Sequence, residues 1–144
     1  MYKISVWQAA DVPVLAALER ECFPDPWSET ELLKQFSRDN YYGFVIKAED
    51  KIVGFIYGSV LFEDAEIYKV AVHPSWRCKG LGQRLVDEAT AYFKNQSVER
   101  VFLEVRAGNA AARGLYEKNG FSVLRIRSKY YADGEDAVEM KKDL

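Results

Sequence analysis

A short basic stretch with two glycines, WRCKGLG at positions 76 to 82, has the residue types and spacing to hold an anion. Gly80 and Gly82 can adopt backbone angles and close approaches that a Cβ would block, so such a loop can turn its N–H groups inward around a charged group. Arg77 and Lys79 place positive charge on either side of the intervening cysteine. The stretch therefore predicts a binding site for a phosphate-bearing ligand.

Three known uses of such a glycine pair can be compared. A P-loop needs Lys-Ser or Lys-Thr after its glycines, and neither pair follows here. A dinucleotide fingerprint needs a small residue where Leu85 stands, although Glu104 lies about 20 residues downstream, where a ribose-binding acid would be. The third interpretation, a simple strand-to-helix turn that binds no ligand, is not excluded, because Gly-x-Gly alone is a weak signal. A strand before the stretch and an amphipathic helix after it favour phosphate binding, since a helix N-terminus carries partial positive charge.

Composition limits the class of protein. The chain has 144 residues, 49% hydrophobic and 29% charged, which predicts one globular domain over residues 1–144. A net charge of −2 argues against nucleic acid as a partner. Since no apolar run reaches about 20 residues and no signal peptide is evident, we expect a cytoplasmic protein without a membrane partner. Cys22, Cys78 and the lone His73 lack metal-type spacing, so we expect no disulfide framework and no metal.

The first half of the chain predicts a strand, two helices and a hairpin. YKISVW alternates as a strand, and Asp11 can cap the helix that follows it. Ser28 and Glu31 have the spacing of a capping box, which predicts the start of a second helix. Two β-rich runs broken at residues 49 to 51 predict a hairpin, and AEIYKVAV is the next strand.

The second half continues with a long helix from Gly80 to about Asn95 and the strand RVFLEVR. A helix ending at Gly120 and a closing hairpin about Asp133 and Gly134 complete the chain. The order is β-α-α-β-β-β-α-β-α-β-β, which predicts an α+β fold with a mixed sheet and helices on both faces.

Five segments together resemble the GNAT acetyltransferases, and within them the bacterial ribosomal-protein-alanine N-acetyltransferases. They are Arg-x-x-Gly-x-Gly, CFPDPWS, AEIYKVAV, LEVRAGNAAARGLYEKNGF and KYYADGEDAVEM. They span most of the chain in the family's order, and the fourth is the most specific. The resemblance implies the GNAT fold and direct transfer of acetyl from acetyl-CoA to the N-terminal α-amine of a protein, such as a ribosomal protein beginning with alanine.

The same resemblance implies which residues hold acetyl-CoA. In this family, loop amides bind the diphosphate, and a bulged strand that parts from its neighbour offers backbone groups to the acetyl carbonyl and the pantetheine arm. Asn109 adds a contact with the cofactor, although Asn is also a common helix cap. The implied cofactor-binding residues are Val70, Ala71, Val72, Arg77, Cys78, Lys79, Gly80, Leu81, Gly82, Gln83, Asn109 and Tyr116.

Glu104 is the first candidate for the general base of this reaction. Acetyl transfer requires removal of a proton from the amine, a donor for charge on the carbonyl oxygen, and a proton for the departing thiolate. The resemblance implies that Glu104 accepts the first proton through water, although it could instead be a carboxylate paired with Arg106. Glu66 is the rival base, or it could bind the substrate ammonium, and strand alternation puts it on one side with Tyr68, Val70 and Val72.

Tyr116, in GLYEKNGF, is the candidate acid. Its ordinary pKa near 10 keeps the phenol protonated at neutral pH, and the resemblance implies that it protonates the leaving thiolate. A helical tyrosine beside Leu115 could instead be core packing. Cys78 lies between two cationic residues and is a candidate nucleophile, but the resemblance favours direct transfer over a covalent acetyl-cysteine.

Trp27, Tyr130 and Tyr131 are the candidate walls of the acceptor site. They could be ordinary packing, with Trp27 stapling the start of the second helix. The resemblance implies instead that their two segments enclose a groove for a protein N-terminus and admit a small first residue such as alanine or serine. A small-molecule amine as acceptor and a non-catalytic acyl-CoA-binding module are the alternative functions, and the paired base and acid weigh against the second.

Overall fold

Seven strands and four helices follow one another in the predicted order, in a computed structural model that describes residues 1–144. The strands are β1 (Tyr2–Val6), β2 (Tyr41–Ala48), β3 (Lys51–Leu61), β4 (Asp64–Val72), β5 (Arg100–Arg106), β6 (Ser122–Arg127) and β7 (Ala137–Asp143). The helices are α1 (Val12–Cys22), α2 (Glu29–Phe36), α3 (Leu81–Asn95) and α4 (Ala110–Lys118). The predicted α+β class is confirmed.

The strands form one mixed sheet in the order β1-β2-β3-β4-β5-β7-β6. All neighbours are antiparallel except β4 and β5, which are parallel because α3 crosses over between them. β7 lies between β5 and β6, so the end of β5 is paired on that side. The carboxyl ends of β4 and β5 therefore lie at the same edge of the sheet, near its middle.

The predicted caps of α2 and α4 are present in the structure, but the predicted cap of α1 is not. Asp11 precedes α1, yet its side chain makes no capping hydrogen bond to that helix and instead accepts one from the Gln8 N–H at 2.8 Å. The Ser28 hydroxyl accepts a hydrogen bond from the Glu31 N–H, and the Glu31 carboxylate accepts one from the Ser28 N–H, each at 3.2 Å. The Asn109 side chain accepts from the Ala112 N–H at 3.2 Å and so caps α4. Gly120 follows α4 with a φ of 91°, a left-handed conformation that suits glycine after a helix. These local interactions fix where α2 begins and where α4 begins and ends.

The connection between β6 and β7 is longer than the tight hairpin that the sequence predicts. Gly134 has a φ of 89°, as a turn about Asp133 and Gly134 requires. That turn is only one part of a connection that spans residues 128–136. The additional residues include Tyr130 and Tyr131, which extend from the sheet edge toward its centre.

Apolar side chains cover both faces of the sheet, which confirms the prediction of helices on both sides. The core between the sheet and the helices α3 and α4 includes Ile56, Leu85, Phe93, Leu103 and Met140. Beneath α1 and α2 it includes Trp7, Leu15, Leu32, Phe55 and Tyr57. None of the helices combines the length and apolar character needed to cross a lipid bilayer.

A β-bulge in β4 lies next to the fork between β4 and β5. The register between β3 and β4 shifts between Tyr57 and Gly58, and Tyr68 is left without a partner in β3. A Cβ at position 58 would collide with the carbonyl oxygen of Glu66, so only glycine allows this close approach.

The bulge corrects one expectation from the sequence. Regular alternation would put Val70 and Val72 on the same side of β4 as Glu66 and Tyr68. Because one extra residue interrupts the alternation, the two valines pack on the α3 side, whereas Tyr68 packs on the α1 side. Glu66 therefore shares its side with Tyr68 but not with the valines.

Candidate active site

β4 and β5 separate at their carboxyl ends and open a fork in the sheet. Their parallel pairing begins at Asp64 with Arg100 and ends at Ile67 with Leu103. Beyond that point, β4 remains paired only with β3, and β5 only with β7. The side of β4 that faces β5, including residues 70–72, therefore has no strand partner and can offer backbone groups to a ligand.

The glycine stretch forms the N-terminus of α3. Gly80 is the N-cap residue, with a φ of 77°, a conformation that glycine adopts without strain. The backbone N–H groups of residues 77 to 83 donate to no protein acceptor. Consecutive unpaired N–H groups at the positive end of a helix are suited to an anion such as a diphosphate.

A cavity of about 640 Å³ lies between this stretch, the end of β4 and the start of α4. Its lining includes ten predicted cofactor-binding residues: Val70, Ala71, Val72, Arg77, Cys78, Gly80, Leu81, Gly82, Gln83 and Asn109. The other two, Lys79 and Tyr116, are not part of the lining; Lys79 is exposed on the loop and Tyr116 is buried in the core. The unpaired N–H groups and the fork fit an extended ligand that carries a diphosphate. No group of three or more His, Cys, Asp or Glu side chains is placed to hold a metal ion.

Arg77 joins the glycine stretch to β4 and α1. Its Nε donates to the Val72 carbonyl oxygen at 3.0 Å, and its guanidinium lies 3.8 Å from the Cys22 sulfur. Burial raises the pKa of the Cys22 thiol, although the nearby Arg77 offsets part of this effect. The side chain of Arg77 thus anchors the loop in addition to bringing positive charge.

Glu104 lies at the fork and contacts Arg127, so the alternative ion pair with Arg106 does not form. The Arg127 Nε lies 3.3 Å from Oε2 of Glu104, and the same guanidinium donates to Glu139 at 3.1 Å. Oε2 is enclosed, and no hydrogen bond reaches it. On the other side, the Tyr130 hydroxyl donates to Oε1 at 3.5 Å.

Glu66 lies on the same face of the sheet as Glu104 and Glu139. It is opposite Phe102 in the pairing of β4 with β5, and Glu104 is opposite Glu139 in the pairing of β5 with β7. Burial raises the pKa of Glu66, and the charges of Glu104 and Glu139 raise it further. A positively charged amine at this face would therefore be stabilised.

Tyr116 has its ring in the core. It is 4% exposed, and its ring meets Phe121 edge-on at 5.7 Å between centroids. Burial raises the pKa of Tyr116 above its ordinary value, with a smaller contribution from the charge of Tyr131. Burial also raises the pKa of Tyr131 to about 12, and the charge of Glu104 adds to this shift. Tyr131 is thus within electrostatic reach of both Tyr116 and Glu104.

Trp27 packs against β3 and β4 at the other side of the fork. Its indole stacks on Tyr57 at 5.4 Å and meets Tyr68 edge-on at 6.0 Å. Across the fork, the rings of Tyr130 and Tyr131 meet edge-on at 5.2 Å on the connection between β6 and β7. The three predicted acceptor aromatics therefore lie on the two connections that flank Glu104.

A buried cluster of charges beneath Trp27 was not predicted from the sequence. Glu19 is fully buried and accepts hydrogen bonds from the backbone N–H of Trp27 at 3.0 Å, from Lys69 Nζ at 2.7 Å and from the Tyr57 hydroxyl. The Lys69 ammonium also lies 4.6 Å from the Phe23 ring centre. Burial raises the pKa of Glu19, while Lys69 opposes the shift. One signal in the sequence could have indicated that Glu19 is buried: it lies four residues after Leu15, on the same face of α1.

The sequence indicates Arg106 only as a partner for Glu104, but in the structure its guanidinium has other partners. Its guanidinium contacts Asp25, Asp133 and Glu135, which come from the connections before α2 and before β7. The hydrogen bond with Glu135 and the three negative charges raise the pKa of Arg106, although burial alone would lower it. No spacing in the sequence indicates these contacts, because they join segments far apart in the chain.

The fold and this site define a class of protein. Residues 12–121 match the model of the acetyltransferase (GNAT) family. The chain belongs to this family and is an acetyl-CoA-dependent N-acetyltransferase.

Individual relatives narrow the likeness further. The chain is 34% identical to the [ribosomal protein bS18]-alanine N-acetyltransferase of Salmonella typhimurium over 143 residues, 97% of this chain and 96% of the relative. The crystal structure of the ribosomal-protein-S18-alanine N-acetyltransferase from Escherichia coli has a TM-score of 0.92 and 33% identity, covering 99% of this chain and 94% of that one. The PaiA N-acetyltransferase from Thermoplasma acidophilum, in complex with coenzyme A, has a TM-score of 0.84 and 20% identity, covering 100% and 99%. This last likeness concerns the fold alone.

Proposed function

We propose that the enzyme acetylates the N-terminal α-amine of a protein, and that this protein is a ribosomal protein with N-terminal alanine. The observation that carries the proposal is the position of Glu104 at the fork between β4 and β5, flanked by two connections that bear aromatic side chains. A relative named for this activity, 34% identical over 97% of the chain, supports it. We expect the reaction in the cytoplasm, where ribosomal proteins are made.

Acetyl-CoA would lie in the cavity beside α3 and supplies the acetyl group as a thioester. The unpaired N–H groups of residues 77–83 would bind its diphosphate, with the partial charge of the helix end assisting. Backbone groups of residues 70–72 would bind the pantetheine arm and the acetyl carbonyl oxygen, and Asn109 would add a contact at the start of α4. The carbonyl oxygen would then gain negative charge next to fixed donors.

Glu104 acts as the general base in this proposal. An α-amine has a pKa of about 7.7–8.0, so most of it is protonated at neutral pH and cannot attack. Glu104 accepts this proton through water, and the freed nitrogen attacks the acetyl carbon directly. Glu66 holds the ammonium before it loses its proton, because a cation relieves the repulsion among the carboxylates on this face.

Tyr116 acts as the general acid. As the carbon–sulfur bond breaks, its hydroxyl donates a proton to the departing sulfur. The raised pKa of this buried phenol keeps it protonated at neutral pH, which is the form that a general acid needs. Cys78 lines the cavity, but it forms no covalent intermediate in this proposal, because the amine attacks the acetyl carbon directly.

Trp27, Tyr130 and Tyr131 would form the walls around the first residue of the acceptor. Trp27 is fixed by the stacking of its indole on Tyr57 and by the hydrogen bond that its backbone N–H donates to Glu19. Rigid aromatic walls admit a small side chain such as that of alanine or serine and exclude a large one.

A peptide assay with mass spectrometry tests this function. The substrate is a synthetic peptide with the first residues of the bS18 protein from the same genome, incubated with acetyl-CoA and the enzyme. We expect one acetyl group on the α-amine, and none on a control peptide whose α-amine is blocked but whose lysines are free. Activity confined to polyamines or aminoglycosides would contradict a protein acceptor.

A further inference from the structure

Arg106 contacts both connections that flank the fork. From the connection between α1 and α2, the Asp25 carboxylate lies 3.3 Å from its guanidinium. From the connection between β6 and β7, Asp133 and Glu135 accept hydrogen bonds at 2.8 Å and 2.9 Å. The Tyr131 ring lies beneath the guanidinium, with 4.1 Å between its centroid and Cζ.

These contacts occupy the side chain of Arg106. Its side chain is only 14% exposed, whereas those of Asp25 and Asp133 are more than half exposed. Arginine suits such a position because its planar guanidinium offers five N–H donors and can also stack on a ring. Glu135 extends the network, because its other carboxylate oxygen accepts from the Gly108 N–H at 2.8 Å.

The two connections that Arg106 joins carry the aromatic residues assigned to the acceptor. Trp27 follows Asp25 by two residues, and Tyr131 precedes Asp133 by two residues. Arg106 itself follows Glu104 by two residues on the same side of β5, so one strand positions both the base and the two walls.

We propose that Arg106 is a positioning residue that holds the two walls of the acceptor groove at a fixed distance from each other and from Glu104. This inference rests on the proposed acceptor site. Removal of the guanidinium leaves three carboxylates close together without a cation, so the connections would repel each other and the groove would widen. Arginine at this position therefore sets the KM for the acceptor rather than the affinity for acetyl-CoA.

The test compares Arg106→Met and Arg106→Lys with Arg100→Met. Arg100 is a matched control, because it lies at the opposite end of β5 and contacts three carboxylates, those of Glu63, Asp64 and Glu99. We expect Arg106→Met to raise the KM for the peptide about tenfold to a hundredfold. We expect its KM for acetyl-CoA to stay within about twofold, Arg106→Lys to be intermediate, and Arg100→Met to change neither constant.

A mutant cycle tests whether Asp25 acts through Arg106. Asp25→Asn alone is expected to raise the peptide KM, whereas in the Arg106→Met background it is expected to leave the KM unchanged or to lower it, because one of the repelling carboxylates is then neutral. A rise in the KM for acetyl-CoA alone would instead mean that Arg106 contacts the cofactor, since it also lines the cavity, and would overturn the proposal. Additive effects of the two substitutions would also overturn it.

Hydrogen exchange separates this inference from the proposed function. In Arg106→Met, and less so in Arg106→Lys, we expect faster amide exchange in residues 23–28 and 128–136 together, with no change there in Arg100→Met. This readout needs no substrate, so it judges the role of Arg106 even if the peptide is not acetylated. Unchanged exchange in either connection would show that Arg106 does not hold the two walls.

Discussion

The side chains proposed for proton transfer differ in how the protein holds them. Glu104 is at the edge of the fork, in contact with Arg127 and Tyr130 and next to other carboxylates. Tyr116 is enclosed by the core, where it is only 4% exposed. The proposed base thus keeps 29% of its side chain exposed, whereas the proposed acid is fixed in position by packing.

Glu104→Gln is expected to lower kcat about 10²- to 10⁴-fold, because the amide keeps the shape of the side chain but accepts no proton. The dissociation constant for acetyl-CoA, measured by calorimetry, should not change, because Glu104 does not line the cavity. Glu117→Gln is the control, an exposed position on α4 next to the proposed acid. A kcat near that of wild type would remove Glu104 from the mechanism.

The pH dependence of kcat tests Tyr116. A phenol is an acid only while it is protonated, that is, below its pKa, and burial moves the pKa of Tyr116 upward. We therefore expect kcat to show no decline from this group up to about pH 10, the ordinary value for tyrosine. Tyr116→Phe should lower kcat at all pH values. A decline in wild-type kcat centred below pH 10 and lost in Tyr116→Phe would contradict the raised pKa.

Among the secondary-structure elements, the bulge in β4 is the feature that opens the site. It turns the last residues of β4 away from β5, and it exists because position 58 has no side chain to collide with the Glu66 backbone. The stretch before α3 and the start of α4 then approach the opened edge and form the cavity.

Gly58→Ala should destabilise the protein by about 1–3 kcal/mol, because the added methyl group collides with the Glu66 carbonyl oxygen. Thermal unfolding followed by circular dichroism measures the effect. Gly114→Ala is the matched control, because nothing lies within 4 Å of its added methyl group and alanine favours a helix. Equal melting temperatures for Gly58→Ala and wild type would show that the bulge does not depend on glycine.

Local signals in the sequence predicted the elements well, and they failed where contacts are long-range. The capping box at Ser28 and the glycine at position 120 act over a few residues, so their patterns identified the ends of the helices. Strand alternation placed Val70 wrongly, because a bulge depends on how two strands pair and not on one strand's own pattern. The contacts of Arg106 lie beyond any local pattern for the same reason.

Across the molecule, the sheet supports two sites that meet at the fork. The cavity beside α3 and α4 extends to Phe23 and Pro24 after α1 and to Glu135 before β7, so it reaches both connections that carry the aromatic residues. β5 runs between them and contributes Glu104 and Arg106. In the proposed reaction, acetyl-CoA must therefore bind with its diphosphate at the start of α3 and its thioester at the fork, within reach of both Glu104 and Tyr116.

A crystal structure with bound acetyl-CoA, or a non-hydrolysable analogue of it, tests this requirement most directly. We expect the diphosphate within hydrogen-bond distance of the N–H groups of residues 77–83. We also expect the acetyl group between the separated ends of β4 and β5, with its sulfur near the Tyr116 hydroxyl. A ligand bound elsewhere on the protein, with this cavity empty, would contradict the account.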